Sequence, residues 1–328
     1  MDTLTYLTLI ITYKCSSRCV HCCLGAGPEF HEWMEAEEAE GYIAEVTRSN
    51  QITHMTLIGG EALLDLERTI AVGEIALRYG IPYVEINTNG SWAVDEEAAL
   101  RVLRRVFDAG LNLSTISVDA FHEHYVPRKR VLCAMSAARR LGVDLEGFGE
   151  ILEAEDASNI YDKETRGITQ WFHERGFAVR LERRLPHLVF QGRAANLAHE
   201  YQGPRSIPED TCAGVPWFGT ADFRRLGGIQ IDVFGWIMVE HGICIGNARQ
   251  RPIGEILIAY DPEAHPIIRV LMNEGPIGLT RLPEAEGFRL REEGYVDKCH
   301  LCHEVRTYLR PTFPEVLCPE HFYPEIVQ

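Results

Sequence analysis

The chain opens on an apolar run, Tyr6-Leu7-Thr8-Leu9-Ile10-Ile11, rich in β-branched and aromatic side chains, and residues 4–12 therefore predict a strand. After it the apolar period switches repeatedly. Residues 30–49 space Phe30, Trp33, Met34, Ala36, Ala39, Ile43 and Val46 among acids, which predicts a helix. Met55-Thr56-Leu57-Ile58 reads as a second strand, and a helix from about Leu64 to Tyr79 stops at Gly80. Tyr83–Asn87 is a third strand. Asp95 is placed to N-cap a helix running through Asp108, with Gly110 as its stop. Strands over Leu113–Val118, Val143–Glu150 and Ala178–Arg184 then alternate with helices over Lys129–Leu141 and Glu164–Arg175. Such alternation argues for an α/β fold, a parallel sheet with helices outside it. Six units of this length predict a partial (β/α)6 TIM-type barrel rather than a closed ring of eight.

The pattern changes near Gly203. Prolines and glycines cluster, and helical periodicity becomes scarce. Gly228–Val239 predicts a hairpin with its turn near Phe234-Gly235, followed later by a helical stretch and Cys299-His300-Leu301-Cys302. Two parts follow from this: residues 1–202 as the barrel, and residues 203–328 as a small α+β domain.

The chemistry-bearing residues fall just after strands, which in α/β barrels is the face where sites are built from loops. Cys15-Ser16-Ser17-Arg18-Cys19-Val20-His21-Cys22 sets three cysteines at C-x3-C-x2-C spacing after the first strand. Three thiolates on one short loop can hold three irons of a [4Fe–4S] cluster, which leaves the fourth iron open. Gly59-Gly60-Glu61 ends the second strand, Thr88-Asn89-Gly90 the third, and Ser117-Val118-Asp119 the fourth. A zinc knuckle would need the cysteines but not these distant strand ends.

This constellation resembles the radical S-adenosylmethionine (SAM) superfamily. The resemblance implies that Cys15, Cys19 and Cys22 hold a [4Fe–4S] cluster whose open iron chelates SAM. An electron from it would break the sulfonium C–S bond, and the 5′-deoxyadenosyl radical would take a hydrogen from substrate. Gly59, Gly60 and Glu61 match the family's GGE motif at the SAM amino group. Asn89, Ser117 and Asp119 sit where the family places polar contacts to SAM, and His21 where it packs against adenine. Gly147-Phe148-Gly149-Glu150 matches loosely the family's fifth-strand contact to adenine, and Gln191-Gly192-Arg193-Ala194 the G-R-A ending after strand six. His122 and His124 read either as rim groups or as solvated loop histidines. Cys133, on an apolar helix face, and Cys23 read as structural cysteines, with a thiol hydrogen donor as the alternative for Cys23.

In the last third, Cys212 before the hairpin, Cys244 after it, and the distant Cys299 and Cys302 resemble the SPASM and twitch auxiliary-cluster domains. They imply a second [4Fe–4S] cluster. The Cys212-to-Cys244 interval is longer than that family's usual spacing, and Cys318 is the reserve fourth ligand or a thiol near substrate. Zinc at Cys244, Cys299, Cys302 and Cys318 or His303 is the rival. Cys299-His300-Leu301-Cys302-His303 also spells the c-type haem signature, but haem attachment needs export.

Charge and composition narrow the partners. A net charge of −16 argues against nucleic acid and anionic membrane surfaces. No run approaches the ~18 apolar residues of a membrane span. The start carries no basic segment before its apolar run, so it does not read as a signal peptide. Ten cysteines in a chain read this way point to metal or catalytic use rather than disulfides, and to a reducing cytoplasm. The resemblance implies an electron donor such as flavodoxin or ferredoxin. It leaves the substrate between a peptide, modified by epimerisation, cross-linking or oxidation, and a small molecule dehydrogenated with the auxiliary cluster as electron acceptor. A non-catalytic iron–sulfur or zinc interaction protein is the third possibility.

Overall fold

The computed structural model describes residues 4–153, 159–183, 190–212 and 222–324. Arg184, the last residue of the expected sixth strand, lies outside them. Strand β1 is Tyr6–Thr12, and its partner β2, His54–Gly59, runs parallel in the register Tyr6↔His54 to Ile10↔Ile58. β3, Tyr83–Ile86, pairs in parallel with β2. β4 (Thr115–Ser117), β5 (Glu146–Ile151) and β6 (Val179–Arg183) form a second parallel sheet. Parallel bridges Glu85↔Asn112 and Thr88↔Ile116 join the β3 end to the β4 end. The strands thus follow one another in the order β6-β5-β4-β3-β2-β1 around an open arc. This is the partial-barrel arrangement that the alternating pattern predicts.

Helices cover the outside: α1 (Ala36–Ser49), α2 (Leu66–Arg78), α3 (Glu96–Asp108), the short α4 (Ala120–Glu123), α5 (Arg128–Arg140) and α6 (Ile160–His173). Their starts have visible causes. Asp95 accepts from the Ala98 amide at 2.7 Å and Asp65 from the Arg68 amide at 3.1 Å, satisfying donors that a helix N-terminus leaves open. The helix predicted over residues 30–49 begins only at Ala36. Trp33 bridges Thr12, and the Met34 amide donates to the Ile11 carbonyl at 2.8 Å, so this apolar stretch packs along β1 instead of coiling. Within α1, a Cβ on exposed Gly41 would meet nothing within 4 Å. Gly41→Ala is therefore expected to raise stability by about 0.5–1 kcal/mol, read as a higher urea midpoint at unchanged slope.

The last third joins the first sheet. β7 (Gly228–Asp232) pairs in parallel with β1, Tyr6↔Gly228 to Ile10↔Asp232. β8 (Trp236–Glu240) and β9 (Ile243–Asn247) then run antiparallel from it, giving the order β3-β2-β1-β7-β8-β9. Because β7 is hydrogen-bonded along the free edge of β1, the region after Gly203 shares a core with the barrel. The hairpin predicted at Phe234-Gly235 is present: Asp232 accepts from the Phe234 and Trp236 amides, and Gly235 has φ +83°, a conformation glycine adopts without strain. Four further helices follow: α7 (Ile253–Ala259), α8 (Ile268–Glu274), α9 (Pro276–Leu279) and α10 (Lys298–Leu309). Among the described residues, no helix is long and apolar enough to cross a membrane.

Candidate active site

A cavity of about 360 Å³ opens at the C-terminal ends of the strands. Cys15, Cys19 and Cys22 line it from the loop after β1, and Gly59 and Gly60 from the end of β2. Asn87, Thr88 and Asn89 follow β3, and Ser117 closes β4. Phe148 and Glu150 of β5 and Arg180 of β6 complete the wall. Residues far apart in the chain converge here because parallel β/α units bring every strand's C-terminal end to one face.

The paired glycines pack against backbone. A Cβ on Gly59 would lie 2.2 Å from the Thr12 carbonyl oxygen, and one on Gly60 2.1 Å from that of Lys14. Gly60 N donates to Thr12 O and Glu61 N to Lys14 O, each at 2.9 Å, so the GGE turn is stitched to the root of the cysteine loop.

Glu61 is buried and turned inward. Its carboxylate accepts from the Leu63 amide (3.0 Å), the Thr88 hydroxyl (2.8 Å) and the Asn89 amide (2.7 Å). Burial pushes its carboxyl up to about 7, against the pull of those donors. It braces the β3 loop, and through that brace the Asn89 side-chain amide reaches Cys15 Sγ at 3.5 Å and Ser16 Oγ at 3.3 Å. Ser117 Oγ donates to the Thr88 carbonyl at 3.4 Å, at the cavity wall.

Asp119 also acts behind the wall. It caps α4, accepting from the His122 amide at 2.9 Å, and lies 2.8 Å from His122 Nδ1. Burial alone would raise its carboxyl, but the imidazole of His122 holds it below the usual carboxylate range. His122 lines the cavity, whereas His124 is exposed and packs its ring edge-on to Tyr125. His21 lines the cavity with one face stacked on Phe121, centroids 4.5 Å apart, and its edge against His122.

Sequence reasoning singled out Gln191-Gly192-Arg193-Ala194 only as a family ending; the structure gives it work. Arg193 N donates to Cys22 O at 3.1 Å, Nε to Cys19 O at 3.0 Å and Nη2 to Ala26 O at 2.5 Å. Gly192, at φ +55°, comes so close that a Cβ would lie 2.5 Å from Cys23 O. From the other side His321 and Phe322 pack on Tyr13, whose hydroxyl donates to buried Asp232 at 2.9 Å. No spacing in the sequence points to His321 or Tyr13.

Residues 9–152 match the family model described as the radical SAM superfamily. This chain carries a radical SAM domain. Among curated proteins it is similar to the GTP 3′,8-cyclase of Paenarthrobacter nicotinovorans, 24% identical over 192 residues, covering 56% of this chain and 51% of that protein. The same enzyme of Moorella thermoacetica is 28% identical over 131 residues, 38% of this chain and 39% of that one. The chain thus spans about half or less of the curated relatives it matches. Among solved structures, anSMEcpe with bound AdoMet has 13% identity and a TM-score of 0.54, covering 95% of this chain and 97% of that one. SuiB of Streptococcus suis bound to S-adenosylmethionine has 11% identity and a TM-score of 0.50, covering 88% and 76%. At these identities the structural likeness concerns the fold.

Beyond the radical SAM domain, a second group of thiols lies beside α10. Cys212 is near enough to Cys302, and Cys299 to both, for a thiolate on one to disfavour charge on the others. Burial pushes the Cys212 thiol up to about 12 and raises those of Cys299 and Cys302. Cys244, expected among these ligands, is instead disulfide-bonded to Cys318. The bridge Ile243↔Leu317 runs the C-terminal segment along β9 and sets the two cysteines side by side. His300 and His303 are buried, and desolvation lowers the pKa of both, to about 3 for His300.

Proposed function

We propose that this chain is an enzyme that cleaves S-adenosylmethionine reductively and uses the 5′-deoxyadenosyl radical to take a hydrogen atom from a substrate. The observation that carries this reading is the convergence of Cys15, Cys19 and Cys22 with the ends of β2 to β5 and Arg180 of β6 on one cavity. The donor set fits a [4Fe–4S] group: three thiols on one loop, with the Asn89 amide directed at Cys15 Sγ, as hydrogen bonds to a cluster thiolate require. Such a cluster, held by these three residues, would supply the single electron that breaks the SAM C–S bond. Gly59, Gly60, Asn89 and Ser117 hold the polar parts of SAM. His21, backed by Phe121, is an aromatic wall for adenine. Glu61 and Asp119 are positioning residues, acting through Asn89 and His122. Residues 1–202 carry this site, and residues 203–328 carry a second iron–sulfur centre at Cys212, Cys299 and Cys302.

The substrate reading is a peptide. A 360 Å³ cavity is at the lower end for small-molecule sites, so a substrate bound together with SAM would extend out of it. Substrate would enter from the open side of the cavity. The similarity to GTP 3′,8-cyclases favours a second reading, a small molecule, in the same site. The electron donor would be of the flavodoxin or ferredoxin kind, in the cytoplasm.

The test is an anaerobic assay of the reconstituted protein with SAM, a chemical reductant and candidate substrates. 5′-Deoxyadenosine is expected above a no-protein control, and its absence with every reductant sinks the reading. Solvent deuterium entering a peptide α-carbon would support epimerisation. Turnover only with nucleotides would replace the peptide by the small molecule.

A further inference from the structure

Arg306 is a fully buried side chain, on the helix that carries Cys299 and Cys302. Its Nε donates to the Cys302 carbonyl at 3.3 Å, and its Nη1 to the His241 carbonyl at 2.8 Å and the Tyr323 hydroxyl at 3.3 Å. All three acceptors are neutral. Nη2 is buried with no hydrogen-bond partner among the described residues. A guanidinium cannot shed its proton, so a charge sealed from water here calls for an anion close by. The titratable groups within its electrostatic reach are Cys299, Cys302 and His303 from its own helix, Cys212, Glu240 at the end of β8 with His241 beside it, and Tyr323. Glu240 is one anion within its reach, and its Oε1 also accepts from Gln191 Nε2 at 3.2 Å.

We propose that Arg306 is a counter-charge built into the fold for an anionic metal–thiolate group at Cys212, Cys299 and Cys302, and that it raises the reduction potential of that group. This inference rests on the second-centre reading above. The physical basis is direct: adding an electron makes a metal–thiolate group more negative, and a buried cation nearby stabilises that state more than the oxidised one. The place of Arg306 also ties it to the first site. Its acceptor His241 sits with Nε2 4.0 Å from Cys23 Sγ, next to the cluster loop, and the Glu240 partner Gln191 precedes the Gly192-Arg193 brace.

The test uses the full chain carrying Cys15/Cys19/Cys22→Ala, so that only the second centre remains, reconstituted anaerobically with iron and sulfide. Iron per chain and the midpoint potential, followed by electron paramagnetic resonance, are compared for Arg306, Arg306→Lys and Arg306→Met. Arg306→Met is expected to lower the reduced-to-oxidised ratio at fixed poise at least tenfold, a shift of about 59 mV for one electron, with Arg306→Lys in between. Iron lost from a folded Arg306→Met chain but kept by Arg306→Lys would equally support the charge. An unchanged potential overturns the proposal, as does iron lost from both variants, which would make the guanidinium's hydrogen bonds and not its charge the requirement. If the background chain with Arg306 intact binds no iron, the second-centre reading itself fails, and that outcome is separate from the others.

Discussion

Alanine at any one of Cys15, Cys19 or Cys22 is expected to bring 5′-deoxyadenosine formation down to background while the chain stays folded. The two halves of that statement have separate grounds. A cluster with three protein ligands has none to spare, and losing one thiolate leaves a second iron without its sulfur. Folding should survive because each substitution removes a single sulfur atom, a loss of about 1 kcal/mol by the usual scale of small core deletions. The loop is also fastened independently of its thiols: Arg193 donates to the carbonyls of Cys19 and Ala26, and the Cys15 amide donates to Gly27 O at 3.0 Å. Cys133→Ala is the matched control. That thiol is free, half-buried and packs against the core from α5, away from the cavity lining, so its loss should leave 5′-deoxyadenosine formation intact. Near-wild-type formation by Cys15→Ala would remove the cluster loop from the mechanism.

The barrel was legible because its cause is local. Apolar period and glycine stops define each β/α unit, and parallel pairing then follows from alternation alone. The site was legible where chemistry depends on residue type: Cys15, Cys19, Cys22, Asn89 and Ser117 all line the cavity. It was less legible where a side chain's direction decides its role. Glu61 and Asp119 both have carboxylates turned behind the wall, and nothing in Gly-Gly-Glu or Ser-Val-Asp distinguishes a carboxylate facing SAM from one bracing a loop. Long-range pairings were hidden altogether. β7 joins β1 across more than two hundred residues, and the bonding of Cys244 to Cys318 depends on how the C-terminal segment lies along β9. Trp33 and Met34 have helical spacing yet follow the end of β1, where the Thr12↔Trp33 bridge and the Met34 N to Ile11 O bond occupy backbone groups that a helical turn would need.

Gly60→Ala is expected to be the most damaging single-methyl change in the radical SAM domain. A Cβ at this position would lie 2.1 Å from the Lys14 carbonyl oxygen, 2.4 Å from its carbon and 2.7 Å from Tyr13 O. All three neighbours are backbone, so no rotamer change can relieve the overlap. Either the end of β2 or the chain at Lys14 must move, and each movement breaks a tie, Gly60 N to Thr12 O or Glu61 N to Lys14 O. Lys14 directly precedes Cys15, so the displacement reaches the first thiol of the loop. The expected loss is about 3 kcal/mol or more, in the range where overpacking against fixed backbone falls. Iron should be retained poorly even where the chain folds. Urea unfolding and iron per chain measure the two effects separately, with Gly41→Ala as the control in which the same added methyl meets open space. A Gly60→Ala protein with wild-type midpoint and full iron would mean that the β2 turn is not what fixes the cysteine loop. The brace would then fall to Arg193, Gly192 and the Cys15-to-Gly27 bond.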